Sequence, residues 1–504
     1  MDHSAGTFQL TTEVAPGTRY AAVSYRWGSG KDHYMLKLET VEGMRKGVSM
    51  GVLPETILDT LTIAHHLGLK YIWIDRLCIF QDSREDWSQE ASRMAFIYKH
   101  AVVTISASCA IQESQGCFRR RNPAGIQPLR LISNPLLSSQ PAAGFHESSY
   151  ITSNEPEMEQ KEGGKLGHLA DRGWVFQERI LSQRIVHFAE EEVYWECREL
   201  EASEAWPEHT EAYLTPKRPS VLYGPGRESW DKHSLWHTIV EDYSTRIFTY
   251  DTDKLPALSG LARETAKLRK DDKDEYLSGL WRSTVLLDLC WSDYYDTPRI
   301  PEEYLAPSWS WASLHAKISY TAGGSGFGYR PAAQFIDASL KFATGDSYGA
   351  VHDGWIHLLG HLKPVTVVRR RNSAEHLQRQ EPWPVIIRGE NGEPLPFVDN
   401  SVGKLDIESF AVEGKRSVAT FCLPVVKDRE DDPAAENGRP EFYCLLLVPN
   451  GSIKHKRSGE ALKSPRTNTP DEYQRAGLAR LTVNNWSDFK AWLEESAERD
   501  VVIR

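Results

Sequence analysis

Hydrophobic and polar positions follow two periods along the first part of the chain. Tyr20-Ala-Ala-Val-Ser-Tyr-Arg26-Trp27-Gly28 is a short apolar run ending in polar residues and a glycine, the pattern of a strand that leads into a loop. From Pro54 to Leu67 the apolar residues Ile57, Leu58, Leu61, Ile63, Ala64 and Leu67 recur at helical spacing, and Gly68 supplies a stop signal. Tyr71 to Phe80 is apolar on both faces except at Asp75 and Arg76, which predicts a central parallel strand covered by helices. Ser83-Arg-Glu-Asp86 then matches a capping box, with aspartate where glutamate is usual. Behind it Trp87, Ala91, Met94 and Tyr98, flanked by Ile97, form the apolar stripe of an amphipathic helix. Ala101-Val-Val-Thr-Ile-Ser-Ala107 is β-branched and reads as another strand. Alternation of this kind predicts an α/β fold, a parallel sheet flanked by helices.

Later segments read differently. Residues from about 133 to 168 are rich in Ser, Pro, Gly and Glu and predict a polar surface insertion. Asp171 to Leu181 restores a helical pattern, and Arg184 to Phe188 and Val193 to Cys197 flank Glu190-Glu-Glu as a hairpin would. Residues 230 to 291 look mainly helical. Beyond Pro307-Ser-Trp309-Ser-Trp311-Ala the signal turns to strands, at Trp355 to Leu362, Phe442 to Val448 and Ala479 to Val483, before a helix around Asp488 to Glu495. The expected division is an α/β domain over 1–200, a helical extension over 201–320 and a β-rich domain over 321–504.

Composition narrows the class. The 504 residues allow two or three domains, and a formal charge of −11 argues against a nucleic-acid partner. The Arg119–Arg121 and Arg369–Arg371 triplets read as solvated loop charge. Seven cysteines without CxxC or Cys/His zinc spacing give no metal site and suggest a reduced compartment. No basic and apolar leader opens the sequence and no apolar run approaches membrane length, so the expectation is a soluble, cytoplasmic protein without a membrane span.

The candidate chemistry lies where the strand from Tyr71 meets its helix, since ligands of parallel sheets sit at the carboxyl ends of the strands. A buried Asp75 must accept hydrogen bonds or pair with a cation, either to fix a loop or to serve a site. Periodicity puts Glu90 inside the apolar stripe, between Ile97 and Met94. There it would pair with Arg26, Arg76 or Arg172, or face a ligand as a reactive carboxylate. Arg26 and Gly28 end the first strand, where arginine and backbone N–H groups can hold a pyrophosphate, and Trp27 or Trp87 could stack on a base. Phosphate-loop, dinucleotide-fingerprint and nucleophile-elbow motifs are absent, and Cys78 in its apolar run reads as core rather than nucleophile.

Three blocks carry a resemblance. Tyr20 to Gly28, Tyr71 to Ala107 and Asp171 to Cys197 resemble, in order and spacing, the blocks of the fungal heterokaryon incompatibility (HET) domain. Asp253 to Ala262, Gly279-Leu-Trp281 and Ala306 to Ala312 are similar to the usual extension of such proteins. The resemblance implies a fold distantly related to the Toll/interleukin-1 receptor (TIR) domain, a flavodoxin-like sheet, and a role in non-self recognition and cell death. It further implies cleavage of NAD between nicotinamide and ribose, with NAD as substrate and no bound cofactor. The TIR-like catalytic role maps onto Glu90 in Trp87-Ser-Gln-Glu90, with Glu178 of the Gln-Glu-Arg block as the rival carboxylate. Ser24, Arg26, Trp27, Gly28, Asp75, Arg76, Trp87, Arg172 and Trp174 would line the dinucleotide pocket. A homo-oligomer or an allorecognition protein partner is expected by the same analogy, and a non-enzymatic module that signals by assembly is the alternative.

Overall fold

Tyr20–Ser24 forms β1, with Ala21 to Ser24 buried, and organises the first half of the computed structural model. Residues 1–2, 4–28, 34–121, 129–131, 149–151, 164–205, 207–208, 232–269, 274–293, 299–320, 329–369, 385–406, 417–428, 440–451 and 471–504 are described. They fall into two units, Met1–Arg227 and Glu228–Arg504. The insertion expected at 133–168 lies largely outside the described residues.

In the first unit β1 is followed by α1 (Glu55–His66), β2 (Tyr71–Trp73), α2 (Arg84–His100), β3 (Val103–Ser106), α3 (Gly173–Leu181), β4 (Arg184–Phe188), β5 (Val193–Cys197) and β6 (Glu201–Ser203). The sheet runs β6-β5-β4-β3-β1-β2, parallel from β2 to β4 and antiparallel beyond. Alternate residues of β1 point to opposite faces. Val23 joins Ile105, Ile57 and Leu61 beneath α1, whereas Ala22 joins Met94, Tyr98 and Trp174 beneath α2 and α3. Helices therefore cover both faces.

Two expectations need correction. The strand from Tyr71 lies at the sheet edge rather than its centre, and it ends at Trp73. Asp75–Cys78 forms a single helical turn instead. Ile74, Leu77 and Ile79 still bury their side chains in the core, which is why an apolar run longer than the strand appears in the sequence. The capping residue is as expected: Ser83 Oγ accepts from Asp86 N at 3.2 Å. The Asp86 carboxylate, however, reaches Phe80 N at 2.8 Å. Trp87 opens the stripe of α2 but is 38 % exposed, because it sits in the first turn and meets Trp174 edge-on at 6.1 Å.

The second unit begins with α4 (Lys232–Tyr243) and α5 (Ser259–Arg269). Trp236, Trp281, Trp291, Trp309 and Trp311 are fully buried there. Gly279 explains part of this packing: its carbonyl accepts from Trp236 Nε1 at 2.7 Å and Trp311 Nε1 at 2.9 Å. Its φ of +103° and the 2.6 Å that would separate a Cβ from Trp311 Nε1 exclude a side chain. Arg475 is buried as well, donating to Leu289 O, Trp291 O and Asp406 with its guanidinium 3.4 Å from the Trp291 ring centre.

Most of the rest of this unit is β. Strands β7 (Tyr329–Pro331), β8 (Gln334–Phe342), β9 (Val351–Gly360), β10 (Lys363–Arg369), β11 (Val385–Arg388), β12 (Val398–Leu405), β13 (Ser417–Asp428), β14 (Glu441–Pro449), β15 (Asp471–Val483) and β16 (Arg499–Ile503) share one sheet. Six of them close on themselves in the order β13-β10-β11-β12-β15-β14, since β14 pairs with both β13 and β15. The result is a barrel. Val365, Val385, Cys422, Phe442, Leu446 and Leu481 fill its core with Phe489 and Leu493 from α6 (Trp486–Glu494). Closure leaves these six strands no open edge.

Candidate active site at the strand ends

The register of the first unit lines up polar residues where the parallel strands end. Ser24 pairs with Ser106 and Ser106 with His187, so their side chains share the face covered by α2 and α3. Glu178 of α3 is buried at 8 % exposure beside Ser24 and Tyr98. Burial pushes its carboxyl up to about 7, with the Asp75 charge adding and Ser24, Arg172 and Tyr98 opposing. The Ser24 hydroxyl faces this carboxyl without a complete hydrogen bond, and the Tyr98 hydroxyl donates to Val23 O at 2.8 Å.

Asp75 stands next to this group, in the turn after β2. It accepts from Trp27 Nε1 at 2.8 Å and from the Arg76 backbone N at 2.7 Å. Burial nevertheless raises it above the ordinary carboxylate range, against the pull of Trp27, the Arg76 N–H, Tyr25 and the Arg76 charge. Two carboxyl groups with different donors and raised proton affinity thus occupy one end of the sheet. That pattern suits acid–base or cation-stabilising chemistry.

Arg76 is fully buried. Its Nη2 contacts Glu113, and its guanidinium lies 5.6 Å from the Tyr25 ring centre and 5.0 Å from that of Trp27. Glu113 is fixed by its own backbone, since its carbonyl accepts from Thr56 N at the start of α1. Arg172 donates through Nη1 to Tyr25 O at 3.1 Å, while Arg26 is exposed. Gly28 lies against Glu113, whose Cγ would be 3.0 Å from a Cβ there.

Glu90 occupies a different setting. Its side chain is 16 % exposed and paired at 2.7 Å with Arg93, a solvent-facing residue one turn along α2. Cys78 feels the Glu90 charge, but burial is the larger cause that pushes its thiol up to about 12, so it is no thiolate at neutral pH. A second polar chain runs through Ser106 Oγ, Ser108 Oγ (2.9 Å), His187 Nδ1 (3.3 Å) and Glu196, which also binds Arg179. Burial alone would raise Glu196, yet the Arg179 and His187 charges hold it well below the usual carboxylate range. It therefore stays ionised, paired with Arg179.

Sequence reasoning named Ser24, Trp27, Asp75, Arg76, Arg172 and Glu178, which surround one strand end, but it passed over Tyr25, Tyr98 and Glu113 as site residues. Tyr25 lies inside the Ser-Tyr-Arg-Trp-Gly block, so a signal existed. Glu113 lies in a loop with no period to mark it. Residues 20–178 match the heterokaryon incompatibility protein (HET) family. The chain carries a HET domain there. The sheet of this HET domain extends past the matched residues, because β4 to β6 follow Glu178. No curated protein and no solved structure matches the chain. Among the described residues no group of three His, Cys, Asp or Glu could hold a metal ion, and no helix is long and apolar enough to cross a membrane.

Proposed function

We propose that the HET domain binds NAD at the ends of β1 and β2 and hydrolyses its nicotinamide–ribose bond, within a role in heterokaryon incompatibility and cell death. The observation that carries this reading is the buried Glu178 carboxyl, poised near neutrality beside Asp75. The strand order 2-1-3-4 supports a flavodoxin-like, TIR-like sheet, whose ligands bind at the carboxyl ends of the parallel strands. When the C1′–N bond breaks, its electron pair leaves with nicotinamide, which departs neutral, and the ribose becomes an oxocarbenium ion. Ionised Glu178 stabilises that cation and then accepts the proton of the water that adds to C1′. Trp87 and Trp174 offer aromatic edges for the rings of the dinucleotide.

Nicotinamide release from NAD by the full chain tests the reading, with Glu178→Gln and Glu90→Ala beside the wild type. The expected result is a loss of roughly 10²–10³-fold in kcat for Glu178→Gln and near-normal turnover for Glu90→Ala. The opposite result moves the chemistry to Glu90. Absence of turnover at any protein concentration favours a module that signals by assembly.

A further inference from the structure

Arg76 is the least explained residue of the first unit. A guanidinium carries five N–H donors. Nη2 is engaged with Glu113, while Nε and Nη1 are buried with no hydrogen-bond partner, which leaves three donors unmade. Buried arginine is seldom left so, because each unmade donor keeps the desolvation cost without the compensating bond. The rings of Tyr25 and Trp27 lie against this cation. The empty donors lie in the guanidinium plane, and donors in that plane match the oxygens of a phosphate.

The neighbours agree with an anion rather than a cation. Asp75, the neighbouring carboxyl, is taken up by Trp27 Nε1 and the Arg76 backbone N–H, so it leaves the planar donors of the Arg76 side chain to another anion. Glu113, the single carboxylate bound to Arg76, is 16 % exposed and lies against Gly28. An oxyanion arriving beside Gly28 would meet that carboxylate first and then the guanidinium behind it. Glu113 therefore acts as an internal competitor for the same cation.

We infer that Arg76 is a binding residue for the pyrophosphate of a dinucleotide, holding it through the N–H groups that Glu113 leaves empty, with Glu113 weakening the interaction. This rests on the reading of the HET domain as a dinucleotide site, but its test needs no turnover. Inorganic pyrophosphate is titrated calorimetrically into the full chain, into Glu113→Gln and into Arg76→Lys, each first checked for a native circular-dichroism spectrum. Glu113→Gln keeps a hydrogen-bonding oxygen for Arg76 but removes the competing charge, so pyrophosphate should bind about tenfold more tightly. Arg76→Lys keeps the charge but loses the planar donors, and binding should weaken about tenfold. Unchanged or weaker binding in a folded Glu113→Gln protein overturns the inference and leaves ordered water at the empty donors. A protein that shows the tightening yet never releases nicotinamide keeps this inference and loses the glycosidic one. Nicotinamide release without the tightening does the reverse.

Discussion

Replacing Glu178 with glutamine should abolish the pH dependence that this one carboxyl imposes on stability. Moving from 4.5 to about 7, at about 1.4 kcal/mol per tenfold, means that ionised Glu178 costs the fold about 3 kcal/mol. The direction follows from proton binding. Below pH 4.5 the carboxyl is protonated in both states and contributes nothing. Between 4.5 and about 7 the unfolded chain has released the proton while the folded chain keeps it, so stability falls as pH rises. Above pH 8 the whole penalty applies. Glutamine does not titrate. The stability of Glu178→Gln minus that of the wild type should therefore grow by about 3 kcal/mol between pH 4 and pH 8, and the other titrating groups largely cancel in that difference. Urea denaturation of the full chain measures it, with hydrogen exchange of β1 peptides assigning the transition to the first unit. A difference that stays flat within about 0.5 kcal/mol refutes the reasoning, and one of opposite sign would mean that Arg172 holds Glu178 ionised.

The same proton should govern catalysis: kcat/KM for nicotinamide release is expected to rise about tenfold per pH unit below pH 7 and to level off above it, read from a pH–rate profile. Trp27→Phe removes the Nε1–H donor of Asp75 and should push that carboxyl further up, which infrared titration of the protonated carboxyl bands would detect. In the second unit, Asp406→Ala strands the buried Arg475 cation and should cost about 3–5 kcal/mol in urea denaturation. Gly279→Ala should cost about 2 kcal/mol or more, seen as a lower Tm, because the added methyl meets Trp311 in a left-handed backbone.

Much of the first unit was legible because its signals are local. The Ser83 cap and the stripe through Ala91, Met94 and Tyr98 specify α2 within seventeen residues. The edge position of β2 was not legible, since apolar side chains on both faces look alike whether a strand has one neighbour or two. Glu178 was the rival rather than the first choice for a related reason. Periodicity singles out a carboxylate only on a helix with a polar face, as on α2, whereas α3 buries Val175, Phe176, Gln177, Glu178, Ile180 and Leu181 around most of its circumference. Glu90 stood out by pattern yet pairs with a solvent-facing arginine. In the second unit the sequence marked β9, β14 and the end of β15 singly, but barrel closure depends on β14 finding both β13 and β15, a pairing with no local signature.

That closure has a temporal side. Arg475 in β15 donates to carbonyls 184 and 186 residues earlier in the chain, at Trp291 and Leu289. At roughly 5–20 residues per second of synthesis, those carbonyls wait roughly 10–40 s for their donor. β12 and β14 lie nearer in the chain and wait a shorter time for the strand that joins them. Through the longer wait the tryptophan-rich segment of the second unit emerges with its permanent neighbours still unmade, so a chaperone would find its longest engagement there rather than on the HET domain, whose β1, β2 and β3 span fewer than ninety residues.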